Sequence, residues 1–324
     1  MKIKKISVVI PTFKRLHLLL NCLNALENQT LPAEDFEVIV VNDGPDFFTE
    51  TEIKKQTQSL SFKFTFLYTD VKKGPAAARN LGWLSANYEL IAFTDDDCLP
   101  DENWLKAFLE FYNGQPLIAY TGKTIVPINK YPTDFELNTS RLEQAEFITA
   151  NCACSKQALI AIGGFDERFS LAWREDSDLA FRLVDSRIPI YHNHLAVVVH
   201  PVRKAPWGVS LKEQRKGMFD VLLYKKNPQL YESKIGINSL TNYYFIVGFC
   251  LLACIGGLLR FKTFYQICSV LTLIPVSHFA YKRLQYTSRT PIHIAEMVVT
   301  SLIIPFISVY WRIYGMIKFK KLLF

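Results

Sequence analysis

At 324 residues, half of them apolar, the chain can hold one large core with an appendage or two modest domains. Its net charge of +7 is uneven: residues 1–230 carry 27 Lys+Arg against 28 Asp+Glu, and residues 231–324 carry 10 against 2. A basic excess confined to the most apolar stretch fits an anionic membrane surface as partner and argues against a nucleic acid.

In chain order, residues 6–10 read as a buried strand, a largely apolar run of five residues ending at Pro11, too short for the ~7–15-residue core of a secretory signal. Apolar residues at 16, 19, 20, 23 and 26 predict a helix over 16–29. Strands are predicted at 38–41, 62–68 and 90–93, and helices at 75–86, with Pro75 in its first turn, and at 103–112. This alternation predicts an α/β fold with a mostly parallel sheet flanked by helices, whose ligands bind off the carboxyl ends of the strands. Thr12, Asp43 and the run Asp95-Asp96-Asp97 lie at those ends. Further on, helices are expected at 156–162 and 176–186, a hairpin over 188–191 and 196–200, and one basic amphipathic helix over 209–224.

After about residue 240 the composition changes. Residues 243–259 and 264–281 carry no charge, and 297–311 form a third apolar run interrupted by Pro305. Each is near the lower end of the ~17–25 residues that a span needs, and Tyr243, Tyr281, Tyr310 and Trp311 sit at the run ends as interfacial aromatics do. Residues 1–205 are therefore expected to form the α/β domain, 206–236 an amphipathic basic connector, and 237–324 membrane-associated helices. Three full spans would place Lys318, Lys320 and Lys321 opposite the α/β domain, against the positive-inside tendency; two spans and an interfacial run would not. The seven cysteines include no metal-site pairing of C-x-C segments and read as reduced thiols.

Three adjacent carboxylates after a buried strand repel one another unless a cation joins them, and hard oxygen ligands suit Mg²⁺ or Mn²⁺ shared with substrate phosphates. A solvated helix cap is the plainer reading of the same residues. Glu175-Asp176, after Trp173, suits a partly desolvated general base, with helix capping as the alternative, above all for Asp178. His200, at the end of a strand-like run, is the one histidine considered as a ligand. Lys73-Gly74 precedes a helix but has no phosphate-loop spacing.

Six ordered blocks carry a resemblance: Val8-Val9-Ile10-Pro11-Thr12-Phe13 with Arg15; Val41-Asn42-Asp43-Gly44; Gly74 through Asn80; Phe93-Thr94-Asp95-Asp96-Asp97; Gly163-Gly164-Phe165-Asp166-Glu167; and Glu175-Asp176-Ser177-Asp178-Leu179. Over residues 4 to about 200 the chain resembles the inverting, nucleotide-diphospho-sugar-dependent family 2 glycosyltransferases of the GT-A fold, in their membrane-associated bacterial form. The resemblance implies that Pro11, Thr12, Arg15, Asp43, Arg79, Asp95 and Asp96 bind the donor. It implies a metal held by Asp97, Asp95 and, more loosely, His200, with Asp176 as catalytic base and Trp173 and Glu175 on the acceptor side. The polymerising members' Q-x-x-R-W is absent, since Gln214 leads into Arg215-Lys216-Gly217-Met218. Transfer of one sugar, from a UDP-sugar to a lipid-linked or cell-surface glycan in cell-envelope polysaccharide synthesis, is therefore expected, on the cytoplasmic face of a membrane. A polyprenyl-phosphate acceptor, already ionised and needing no base, is the nearest alternative, and a silent membrane-anchored nucleotide-sugar binding module is the next.

Overall fold

The computed structural model describes residues 4–237 and 240–323; residues 238, 239 and 324, which fall in the expected membrane region, lie outside the described residues. Two compact units emerge, one of residues 1–127 and 140–202, the other of 128–139 and 203–324. The segment 128–139, expected in the catalytic domain, thus packs with the C-terminal part.

The first unit runs β1 (Ile6–Thr12), α1 (Leu16–Glu27), β2 (Phe36–Asn42), α2 (Phe47–Gln56), β3 (Lys63–Tyr68), α3 (Pro75–Leu84), β4 (Leu90–Phe93), β5 (Leu99–Pro100), α4 (Trp104–Phe111) and β6 (Ala119–Ile125). After the excursion containing α5 (Asp134–Thr139) it continues with β7 (Cys152–Ser155), α6 (Lys156–Ile162), α7 (Glu175–Asp185) and β8 (Ile190–Val199). The strands form one sheet in the order β3-β2-β1-β4-β7-β6-β8-β5. From β3 to β4 neighbours are parallel; β7 then runs antiparallel to β4 and β6, and β8 runs parallel to β6.

Helices cover both faces of this sheet, which is why its inner strands are continuous apolar runs rather than alternating ones. Successive side chains point to opposite faces. Val8 and Ile10 therefore pack with Leu19, Leu23 and Leu26 of α1 and Trp104 and Phe108 of α4, whereas Val9 packs with Ala78 and Trp83 of α3 and Leu179 of α7. Gly82 lets α3 approach the sheet, since a Cβ there would lie 2.4 Å from Val9 Cγ1.

Two expectations are corrected. The hairpin over 188–200 is the single strand β8, paired parallel to β6 across a bulge opposite Gly122 and Lys123. Its polar middle is absorbed there, where the Asn193 side chain donates to the Ala107 carbonyl at 2.9 Å and accepts from Leu195 N–H at 3.1 Å. The single helix expected over 209–224 is instead α8 (Val209–Glu213), a 3₁₀ turn at Gln214–Gly217 and α9 (Met218–Lys226). Past the turn, which ends at Gly217, Met218, Phe219, Val221, Leu222 and Leu223 of α9 are all buried, whereas no residue of α8 is, so the two halves meet different surroundings.

The second unit continues with α10 (Pro228–Lys234) and three helices long and apolar enough to cross a membrane: α11 (Thr241–Leu258), α12 (Lys262–Leu284) and α13 (Pro291–Phe319). Within this unit Arg283 gathers Asp134 at 2.9 Å, Thr300 at 2.6 Å and Ser210 at 3.1 Å, and so ties the 128–139 segment to the C-terminal helices.

Candidate active site

Because β1, β2 and β4 are parallel, their carboxyl ends share one edge of the sheet, and Thr12, Asp43 and Asp95–Asp97 emerge there together. The three adjacent carboxylates are kept apart by separate partners. Asp96 is buried and accepts from Thr12 Oγ1 at 2.7 Å and Arg15 Nη1 at 3.1 Å. Burial pushes its carboxyl up to about 6, against the pull of Arg15. Asp95 accepts from Arg79 Nη2 at 2.7 Å. Burial alone would raise Asp95, but the Arg79 guanidinium beside it holds the carboxyl below its ordinary value. Asp97 faces His200, with Oδ1 3.7 Å from Nε2. Pro11 lies within β1, opposite Val41, one residue before the strand end.

Asp43 Oδ1 accepts from the backbone N–H groups of Lys73 and Gly74, each at 2.8 Å, and so holds the entry to α3. Gly74 sits at φ +106°, and a Cβ on it would fall 2.5 Å from the Ser170 carbonyl oxygen. Gly74→Ala is therefore expected to lower stability by at least ~1–3 kcal/mol, the usual range for forced backbone strain. An unchanged denaturant midpoint would refute that reading.

Arg79 is 2 % exposed and also donates from Nη1 to Glu175 Oε1 at 3.2 Å, so one guanidinium joins β4's carboxyl end to the start of α7. Glu175, expected on the acceptor side, is buried; burial first and Asp176 second push its carboxyl up to about 7, although Arg79 pulls the other way. Asp176 is partly exposed and accepts from Ser177 N–H at 2.6 Å. Burial raises its carboxyl as well. Trp173 is 40 % exposed, with the Arg174 guanidinium 4.8 Å from its ring centre. Asp178 is fully buried and binds Arg182 at 2.8 Å, and Arg182 donates onward to the carbonyls of Ile162 and Gly164. Asp178 is thus the anchor of the Gly163-Gly164 turn and not a helix cap.

His200 reaches Asp97 through strand pairing. Leu99 of β5 pairs with Val199 of β8, which sets the residue before each strand pair beside the other's end. One ligand atom each from Asp97, Cys98 and His200 then lies within 4.8 Å of the others, and His200 Nδ1 is buried without a hydrogen-bond partner among the described residues. A divalent cation fits this donor set, in which imidazole and carboxylate suit Mn²⁺ better than the all-oxygen shell preferred by Mg²⁺.

Asn80 and Cys98 escaped attention as site residues in the sequence. Asn80 donates to the Phe165 carbonyl at 2.9 Å and accepts from Phe165 N–H at 2.8 Å, so it docks the 163–167 turn onto α3. Its place beside Arg79 was the only signal. Cys98 has no motif spacing to His200, and only the β5–β8 pairing brings them together.

The sequence matches the family model described as glycosyl transferase family 2 over residues 7–168. It is 28 % identical over 224 residues to glycosyltransferase AglE of Haloferax volcanii, covering 64 % of this chain and 70 % of that one. It is 26 % identical over 247 residues to validoxylamine A glucosyltransferase of Streptomyces hygroscopicus, covering 65 % of this chain and 56 % of the relative. To the pre-mycofactocin glycosyltransferase of Mycobacterium tuberculosis it is 26 % identical over 216 residues, covering 62 % and 43 %. The chain therefore spans only about half the length of the latter two. Among solved structures it is similar in fold to the mannosyltransferase PcManGT of Pyrobaculum calidifontis, described in complex with GDP-Man and Mn²⁺, with a TM-score of 0.59 at 13 % identity over 96 % of this chain and 87 % of the other.

Proposed function

The chain belongs to glycosyl transferase family 2, and on that premise we propose that it moves a single sugar from a nucleotide-diphosphate sugar, UDP-linked in our reading, to the hydroxyl of a lipid-linked or cell-surface glycan, with inversion. The observation that carries this reading is the convergence on one sheet edge of the Thr12–Asp96–Arg15 cluster, the Asp95–Arg79–Glu175 relay and the Asp97–His200 pair, with Asp176 at the relay's end.

Thr12, Arg15, Asp43 and Asp96 bind the nucleoside side of the donor, with Pro11 shaping the strand end beneath them. The buried Arg79 and the partly exposed Asp95 act as one pair that sets the floor of the donor site. Asp97 and His200 would hold Mn²⁺ or Mg²⁺, which when bound supplies positive charge against the departing diphosphate. Asp95, already engaged by Arg79 and outside the three-residue donor group, serves the donor in preference to the metal. Asp176 accepts the proton of the acceptor hydroxyl, and the exposed Trp173 offers a flat face for a sugar ring. Glu175 positions Arg79 from below and does not face the acceptor. We place the unit of residues 1–127 and 140–202 on the cytoplasmic side of a membrane that the C-terminal helices bind.

Transfer is expected to fall to background in EDTA and to return with Mn²⁺, and Asp97→Asn is expected to weaken Mn²⁺ binding measured by calorimetry without donor present. Full turnover in chelator, or unchanged Mn²⁺ binding by the variant, removes the metal from the proposal. A panel of nucleotide sugars scored by released nucleoside diphosphate identifies the donor.

A further inference from the structure

The three long apolar helices are not alike. In their most apolar stretches α11 and α12 are each 17 % buried, whereas α13 is 44 % buried. The buried side of α13 is polar as well as apolar: His293, Thr300, Ser301, Ser308 and Arg312 all face inward.

What covers that side is the α8–α9 segment, and it does so along the helix. The Gly208 N–H donates to Glu296 at 2.7 Å, Ser308 donates to Gln214 at 2.5 Å, and Arg312 pairs with Asp220 at 3.4 Å. A Cβ on Gly315 would lie 2.8 Å from the Met218 carbonyl oxygen, and Lys225 donates to the Phe319 carbonyl at 2.9 Å. From Glu296 to Phe319 these contacts follow α13 for about 35 Å at 1.5 Å per residue, more than the ~30 Å thickness of a bilayer's hydrocarbon.

A transmembrane α13 would therefore carry its covering segment into the lipid. Residues 209–226 include Lys212, Glu213, Arg215, Lys216, Asp220, Lys225 and Lys226. Asp220 pairs with the buried Arg312 of α13 and Lys216 with Glu213, but charged side chains carried into hydrocarbon are costly one by one. The opposite face of α13 is an apolar row, with Ile292, Val299, Phe306 and Ile313 each at least 40 % exposed. α11 and α12, of 18 and 23 residues, pack on each other and need no such cover. Arg283, at the carboxyl end of α12, bonds Ser210 and Thr300, which places that end at the level of the polar segment.

We infer that α11 and α12 cross the bilayer as a hairpin while α13 lies in the plane of the membrane interface, its outer row dipped into lipid and its polar side capped by α8–α9. The inference rests on the membrane reading above. It puts Lys282, Arg283, Arg289, Lys318, Lys320 and Lys321 on one side and only Arg260 and Lys262 at the hairpin tip, which is the asymmetry that the positive-inside tendency favours.

The test uses the full chain with Cys250 and Cys254 replaced by serine. Retention in carbonate-washed membranes checks the membrane reading by itself; release without detergent overturns that reading and the inference with it. In sealed vesicles of one orientation, Tyr286→Cys and Leu322→Cys are expected to react together with an impermeant maleimide, and Leu259→Cys only from the other side. Reaction of 286 and 322 from opposite sides overturns the in-plane helix while leaving membrane attachment intact. Spin labels at Val299→Cys, Phe306→Cys and Ile313→Cys should report equal, shallow depth with high oxygen accessibility. A depth maximum at 306, like that expected at Ile274→Cys in α12, or low oxygen accessibility from a second copy covering the row, overturns it.

Discussion

Asp176→Asn is expected to lower transfer ~10²–10⁴-fold, the usual range for one positioned base, while donor binding stays close to that of the unaltered protein. A sugar hydroxyl is a poor nucleophile at neutral pH, so its attack needs a proton acceptor within hydrogen-bond reach. Three carboxylates begin α7, and the structure separates them. Asp178 points about 200° away from Asp176 around the helix. It is consumed by Arg182. Glu175 is consumed by Arg79. Asp176 alone of the three remains partly exposed, and its hydrogen bonds come from Ser177, whose N–H donates at 2.6 Å and whose Oγ donates at 3.4 Å. Its carboxyl is raised by burial, so the deprotonated, active form accumulates later on the pH scale than for an ordinary aspartate. The rate should therefore climb with pH through that shifted value and lose this limb in Asp176→Asn. Calorimetry of donor binding and the transfer rate, measured on the same variant, decide the matter. Lost binding reassigns Asp176 to the donor site, and retained turnover points to an acceptor that is already ionised.

Arg79→Met is expected to cost about 3–5 kcal/mol of stability, because removing one partner of a buried ion pair strands the other. Here two carboxylates are left, Asp95 at 2.7 Å and Glu175 at 3.2 Å, under a guanidinium that is itself 2 % exposed. Glu175→Gln should cost much less, since Asp95 keeps the guanidinium paired. Its effect also has a direction in pH. The Glu175 carboxyl rises from an ordinary 4.5 to about 7 in the folded chain, so the native state holds that proton more tightly than the unfolded one. The stability this contributes is complete below 4.5 and lost as pH rises through 7. Glu175→Gln, which cannot ionise, should therefore gain on the unaltered protein across that window. Denaturant unfolding at several pH values measures both effects. A trend of the opposite sign would mean that Arg79 outweighs burial at Glu175, and a loss below 1 kcal/mol in Arg79→Met would mean that water reaches the cluster.

Local chemistry made much of this legible in the sequence. Runs such as 6–10 and 90–93 declare buried strands because their positions are apolar on both faces, and the helices between them declare themselves by spacing. Parallel order follows from strand–helix alternation, and it already implies that Thr12, Asp43 and Asp95–Asp97 share an edge. The apolar runs after residue 240 likewise need only composition and length. Contacts between residues far apart in the chain leave no such periodic trace. The segment 188–200 reads as a hairpin because two apolar runs flank a polar middle, and only pairing with β5 and β6 makes it the single strand β8 and carries His200 to Asp97. Glu175, Asp176 and Asp178 are three acids of the same type on one helix start. Which of them stays available depends on Arg79, 96 residues away, and on Arg182, one turn on. By length and hydropathy α13 qualifies as a span as fully as its two neighbours do, and it is the packing of α8–α9 along its polar side that sets it apart. Composition specifies which surfaces must leave water; the tertiary structure alone decides what each of them meets, because burial removes a group from solvent without naming its partner.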